Sequence, residues 1–242
     1  MKFLKKSPKK WLTIGALFLL LLFGFLLLQK QMYPASNQAQ ILSEQAVHTK
    51  DYTFYTSKKE HSTSIILYPG ALVDPASYSV LAQQIATAGY DVYVVSFPFN
   101  LAVLKGNIAE KILQTRPEET FVLAGHSLGG VMASRFAAKN KQQIAGLLFL
   151  ASYPDEKGDL SQLDWPVLSI TATNDGVLNQ ANYEQAKAYL PSQTRFVSIE
   201  GGNHAGFGLY GPQKGDSNAT ITPLDQQTQI AQTIVHWLET AF

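Results

Sequence analysis

Apolar and polar residues follow two different rhythms along this chain. From residue 64 onward, short and mostly apolar runs recur: Ser64–Tyr68 (SIILY), Asp91–Ser96 (DVYVVS), Thr120–Ala124 (TFVLA), Ile144–Ala151 (IAGLLFLA) and Val167–Ala172 (VLSITA), with the more polar Thr194–Ile199 (TRFVSI) read as a last strand. Runs this short that do not alternate are what strands look like when both faces of a sheet are covered. Between them lie stretches with helical spacing. Pro75–Ala88 has Pro75 in its first turn and Gly89 as its stop, and Lys105–Thr115 is ended by Pro117. Leu128–Lys139, Asn179–Leu190 and Pro223–Thr240 complete the set, the last with Ile230, Ile234, Trp237 and Leu238 on one stripe. Alternation of strand and helix predicts a mostly parallel central sheet with helices on both faces. Right-handed crossovers then bring the loops after the strands to one sheet edge, where ligands bind. Ahead of this, Glu44–Thr49 and Tyr52–Thr56 alternate and predict an antiparallel hairpin, with Lys58-Lys59-Glu60-His61 as a charged turn.

The first forty residues have another pattern. Residues 1–10 carry Lys2, Lys5, Lys6, Lys9 and Lys10, a basic segment expected in the cytoplasm. Residues 11–28 are uncharged and rich in Leu and Phe. At 1.5 Å per residue this run reaches across a hydrocarbon core of ~30 Å and predicts one transmembrane signal anchor. Lysines before the run and few after it place the remainder on the extracytoplasmic side of the cell membrane. A cleaved signal peptide and a secreted protein is the alternative, although no clear A-x-A site follows the run. Residues 29–40 are polar and read as a linker. Residues 41–242 then form one domain, large enough to bury a core without staples.

Composition narrows the chemistry. The net charge of +1 points to no nucleic-acid partner. The chain has no cysteine, which excludes disulfides, thiolate metal sites and a cysteine nucleophile. No metal and no cofactor is expected.

The most informative stretch is Phe121–Val131, FVLAGHSLGGV. An apolar strand, then G-x-S-x-G (Gly125, Ser127, Gly129), then an apolar-faced helix is the context of a nucleophile elbow. The turn is tight enough that side chains at Gly125 and Gly129 would collide. The Leu128 N–H, at the start of the helix, points to where an oxyanion on the substrate of Ser127 would form. A serine hydroxyl needs a base, and the base needs an orienting acid, in the chain order Ser, Asp or Glu, His. Asp175 follows the strand Val167–Ala172 in a Thr-Asn-Asp-Gly turn and is the expected acid; Asp155, Asp159 and Asp164 are rivals in a polar connection. His204 follows the strand Thr194–Ile199 between glycines and is the expected base. His48 and His61 precede the core, His236 lies on the last helix, and His126 is expected to pack rather than act as a base. The second oxyanion donor should follow the first parallel strand, in Pro69-Gly70-Ala71, with the Ala71 N–H as first choice and Leu72 as second.

These residues carry a resemblance. Together with YPGALVDPASY (68–78), FPFNLAVL (97–104), ASYP (151–154), TNDG (173–176), GGNHAGFGLYG (201–211) and QKGD (213–216), residues 41–242 resemble the α/β-hydrolase superfamily. More narrowly they look like compact bacterial hydrolases, membrane-anchored or exported, of the dienelactone-hydrolase-like branch, but with a serine nucleophile. The resemblance implies the α/β-hydrolase fold, with Ser127 as nucleophile, His204 as base and Asp175 as acid. It implies no substrate. The connection between Ala151 and Val167 is too short for a large lid, so a minimal cap is expected. The long connection after the base, Gly206–Thr222, contains Phe207 and Tyr210, which with Asn100 are expected to line a substrate pocket. The expected activity is cleavage of carboxylic esters or thioesters on a small-molecule or lipid-like acyl substrate. An amidase or peptidase of the same fold, or a non-catalytic cell-envelope binding protein, are the alternatives.

Overall fold

The structure is a computed structural model that describes residues 17, 19, 20, 22–24, 26–58 and 63–242. The chain divides into two units, Met1–Met32 and Tyr33–Phe242. In the first, the described residues between 17 and 29 are helical. Among the described residues no helix is long and apolar enough to cross a membrane. The basic segment 1–10 and half of the expected membrane segment 11–28 lie outside the described residues, as does most of the charged turn at 58–61.

The second unit is built on an eight-stranded sheet. Its strands are β1 (Val47–His48), β2 (Tyr52–Tyr55), β3 (Thr63–Tyr68), β4 (Val92–Val95), β5 (Thr120–His126), β6 (Ile144–Leu150), β7 (Val167–Ala172) and β8 (Arg195–Ile199), in the order β1-β2-β4-β3-β5-β6-β7-β8. β1 and β2 form the antiparallel hairpin and β2 joins β4 antiparallel; every pairing from β4 through β8 is parallel. The mostly apolar runs are explained by two cores, one on each face. Ile65 and Leu67 of β3, Val122 and Ala124 of β5, and Leu148 and Leu150 of β6 point to one face. They meet Leu81 and Ile85 of α2 (Ser79–Ala88) and Ile230, Ile234 and Trp237 of α6 (Pro223–Ala241). Ile66, Tyr68, Phe121, Leu123, Leu147 and Phe149 point to the other, against Ile112 of α3 (Ala109–Thr115) and Phe136 of α4 (Leu128–Ala137). A strand with period 2 and two covered faces has no polar side to show in its sequence.

Helix ends follow local chemistry. α6 starts at Pro223, with the Thr222 hydroxyl accepting the Asp225 N–H, and α5 (Gln180–Ala186) starts where the Asn179 side chain accepts the Asn182 N–H. The connection from β6 to β7 contains one 3₁₀ turn, Glu156–Gly158, and no α-helix, so nothing of lid size covers the sheet edge there.

The reading of residues 29–40 as a linker needs correction. Tyr33 onward belongs to the folded unit. Tyr33 pairs with Val73, its N–H donating to Leu72 O at 2.9 Å, and the Ser36 N–H donates to Leu209 O at 2.7 Å. Ser36 then caps α1 (Asn37–Ser43), whose Ala39 is fully buried against Val80 and Leu209. The polar composition belongs to the exposed side of a one-face helix.

Candidate active site

All four chain segments expected to build the site leave the C-terminal ends of parallel strands: the turn after β3, the elbow after β5, the turn after β7 and the loop after β8. The fold therefore gathers them at one sheet edge. Ser127 sits between β5 and α4 with φ 52° and ψ −127°, a conformation rare for a residue with a side chain and stored only where the surroundings enforce it. Those surroundings are the glycines. A side chain on Gly125 would overlap the backbone of Gly130, and one on Gly129 would overlap the carbonyls of Tyr68 and Pro69. The elbow is also held from the side: the Ser152 hydroxyl donates to the Ser127 carbonyl at 2.6 Å.

His204 and Asp175 form a buried pair. His204 Nδ1–H donates to Asp175 Oδ2 at 2.8 Å, and the two side chains are 1 % and 0 % exposed. The other carboxylate oxygen, Oδ1, accepts the N–H groups of Val177 and Leu178, both at 2.8 Å. Both oxygens of Asp175 are thus assigned. The rivals are not at His204: Asp155 forms a bidentate ion pair with Arg135, which holds its carboxyl below the usual range, and Asp159 accepts the Ser161 N–H in its own loop. Among the described residues, the buried His204 Nε2 has no hydrogen-bond partner, Ser127 included. Both residues line one cleft of about 220 Å³, walled by Val131, Tyr153, Val177 and Leu178.

On the oxyanion side, the Leu72 N–H is consumed by Asn100 O at 2.8 Å, while among the described residues the N–H groups of Ala71 and Leu128 have no partner. Two adjacent left-handed residues, Phe99 and Asn100 (both φ 54°), turn that carbonyl toward Leu72. The Tyr78 hydroxyl accepts the Gly70 N–H at 2.8 Å and is hydrogen-bonded to His126 Nδ1, also at 2.8 Å. Burial, and then the adjoining His204, hold the pKa of His126 well below the ordinary histidine value. It packs between Phe207, stacked at 5.6 Å, and His204 at 4.6 Å between ring centroids.

Three residues expected in the substrate pocket are elsewhere. Phe207 is fully buried in the core against His126, and Tyr210 is buried beside Tyr33 with its hydroxyl donating to Gln213 Oε1. Asn100 serves the site through its backbone carbonyl and does not line the cleft. Aromatic side chains in a loop that packs back on the core are removed from water before they can face a ligand. Conversely, sequence reasoning passed over two buried glutamines of α6. Gln226 Oε1 accepts the Asn203 N–H at 3.0 Å and its Nε2 donates to Asn203 O at 2.7 Å; Gln227 Nε2 donates to Gly206 O at 2.6 Å. They fix the backbone on both sides of His204. The only hint in the sequence is that both glutamines fall on the apolar side of an amphipathic helix.

A strained serine between a parallel strand and a helix, with a histidine–carboxylate pair from later strand ends, defines the α/β-hydrolase class. The sequence profile of the Alpha/beta hydrolase family matches residues 64–228, more than half of the chain, and the protein belongs to that family. Pimeloyl-[acyl-carrier protein] methyl ester esterase of Photorhabdus laumondii is 30 % identical over 103 residues, 43 % of this chain. The match spans only 34 % of that relative's length. Among solved structures, Paleococcus ferrophilus monoacylglycerol lipase superposes with a TM-score of 0.60 at 16 % identity, over 80 % of this chain and 100 % of that one. Carboxylesterase CesB (YbfK) from Bacillus subtilis gives 0.56 at 12 % identity, over 84 % and 95 %. At such identities the structural likeness speaks for the fold.

Proposed function

We propose that this protein is a serine hydrolase that cleaves small carboxylic esters or thioesters through an acyl-enzyme. The observation that carries the proposal is the buried His204–Asp175 pair at 2.8 Å, whose histidine lines the same cleft as Ser127 on its strained turn. Asp175 accepts from Nδ1–H, which leaves Nε2 unprotonated in neutral imidazole and able to take the Ser127 proton. Ser127 Oγ attacks the acyl carbonyl, and the Leu128 and Ala71 N–H groups receive the oxyanion. Each such donor is worth about 2.7–4 kcal/mol of transition-state stabilisation. His204 then hands its proton to the leaving alcohol or thiol. Water, deprotonated by the same nitrogen, releases the acid and restores Ser127. Side chains, two backbone amides and water suffice for every step.

The named activities of the relatives, a methyl ester esterase, a monoacylglycerol lipase and a carboxylesterase, support ester chemistry. The size of the cleft supports a small acyl group, since pockets for drug-sized ligands run to about 300–1,000 Å³ and this one encloses about 220 Å³. The purified protein is expected to turn over p-nitrophenyl acetate and butyrate, with kcat/KM falling at least about tenfold for decanoate as methylenes exceed the walls. Absence of turnover across the whole panel contradicts the proposal, and a preference for decanoate contradicts the size argument.

A further inference from the structure

The long connection after His204 contains a carboxylate whose contacts point to a specific task. Asp216 Oδ1 accepts the Gly176 N–H at 3.0 Å and the His204 N–H at 3.3 Å, and Oδ2 accepts the Ala205 N–H at 2.8 Å. A further bond from the Ser217 N–H to Oδ1, at 2.9 Å, fixes the side chain on its own backbone. Three of these four donors are the base residue, its successor, and the residue directly after the acid. One short side chain thus ties the turn beyond β7 to the turn beyond β8. The last β7–β8 partners are Ala172 and Ile199, and beyond them the two turns meet directly only up to the Asn174 N–H, which donates to Gly202 O at 2.9 Å, and the Gly201 N–H, which donates to Thr173 Oγ1 at 2.8 Å. Asp216 carries the tie on to the residues at and beyond Asp175 and His204. Neighbouring bonds bring the same loop onto the same two turns. Asn174 Nδ2 donates to Asn218 O at 3.2 Å and Asn203 Nδ2 to Ser217 O at 2.7 Å. A Cβ on Gly176 would come within 2.8 Å of Gly215 O and Ser217 N, so the loop lies directly on the acid turn.

The geometry points to Asp216 as a positioning residue: its carboxylate clamps the backbone of the acid turn to that of the base turn, and thereby sets the His204–Asp175 hydrogen bond. Asp216 touches no reacting atom. It acts through the placement of His204, and an imidazole displaced by about 1 Å costs on the order of 10²-fold in rate. This inference rests on the hydrolase reading for its kinetic consequence but not for its structural one.

The test compares Asp216→Ala and Asp216→Asn in the full chain. Asp216→Ala is expected to lower kcat on p-nitrophenyl acetate about 10²-fold per titrated active site, with KM within about twofold, because the acyl cleft is untouched. Asp216→Asn keeps an oxygen at Oδ1 for Gly176 and His204 and loses only the Ala205 bond, so it is expected to recover most of that loss. A role in stability alone would lower the titrated fraction and leave kcat per site unchanged. The second readout needs no turnover. The low-field proton NMR resonance of the His204 Nδ1–H is expected in wild type and Asp216→Asn and is expected to be lost or broadened in Asp216→Ala. If Asp216→Ala does not fold, Asp216→Asn carries the test through the Ala205 bond, with kcat lowered several-fold and the resonance exchanging faster with solvent. An unchanged resonance and unchanged kcat per site in the folded variant overturn the inference. A wild type that hydrolyses nothing overturns the hydrolase reading, and the resonance then decides on Asp216 by itself.

Discussion

Replacing Asp175 by asparagine is expected to reduce kcat for ester hydrolysis about 10⁴-fold, or about 5.4 kcal/mol in activation free energy, with the fold retained. The reason lies in how both oxygens of Asp175 are used. Oδ1 takes two backbone N–H groups, from Val177 and Leu178, and Oδ2 takes the Nδ1–H of His204. An asparagine that turned its NH₂ toward the two backbone donors would set donor against donor in a site closed to water. It must therefore keep its oxygen there and present the NH₂ to His204. The imidazole then accepts at Nδ1 and carries its proton on Nε2, the nitrogen that has to receive the Ser127 proton. The variant has its base in the wrong tautomer, and it also lacks the negative charge that stabilises the imidazolium. Steady-state kinetics with a thermal melt check this: a variant that keeps its Tm and loses less than about tenfold in kcat contradicts the role given to Asp175.

The largest effect on folding is expected at Gly129. An added methyl group there would fall on the carbonyl oxygens of Tyr68 and Pro69 and 2.8 Å from the Tyr68 carbonyl carbon. Overlap with the end of a long flexible side chain is relieved by a rotamer change, but these are backbone atoms at the end of β3, a strand paired on both sides. Relief requires moving α4 away from the sheet. That in turn shifts the elbow and opens the site between Leu128 and the turn at Ala71. Gly129→Ala is expected to cost more than about 3 kcal/mol, above the usual range for a single overpacked methyl group, and to leave little soluble protein. Urea denaturation or the soluble yield measures it. A Gly129→Ala protein with wild-type stability contradicts the packing described for the elbow.

The elbow was legible because its chemistry constrains residue type at fixed spacing. Two glycines, a serine and the change from strand to helix all fall within eleven residues of sequence. The order of acid and base along the chain, and the strand ends before them, then selected Asp175 over Asp155, which the structure finds occupied by Arg135. The sheet was legible for a simpler reason, since two covered faces leave mostly apolar runs. What escaped has partners far away in sequence. Asp216, Gln226 and Gln227 look like ordinary polar residues until the fold puts them 2.6–3.3 Å from backbone groups 11 to 40 positions away. Phe207 and Tyr210 share that cause: a loop with aromatic residues beside a base suggests a pocket wall, whereas the tertiary packing turns the rings inward to His126 and Tyr33. The polar stretch before residue 41 hides Ala35 and Ala39, which pack with Leu42 against Val80 and Leu209 and seat α1.

The central claim is that Ser127 is an activated nucleophile. A fluorophosphonate probe that reacts only with activated serines, followed by peptide mapping, tests it directly. The account predicts one adduct, on Ser127, absent from Ser127→Ala; no adduct on the native protein, or labelling that survives the substitution, would contradict it.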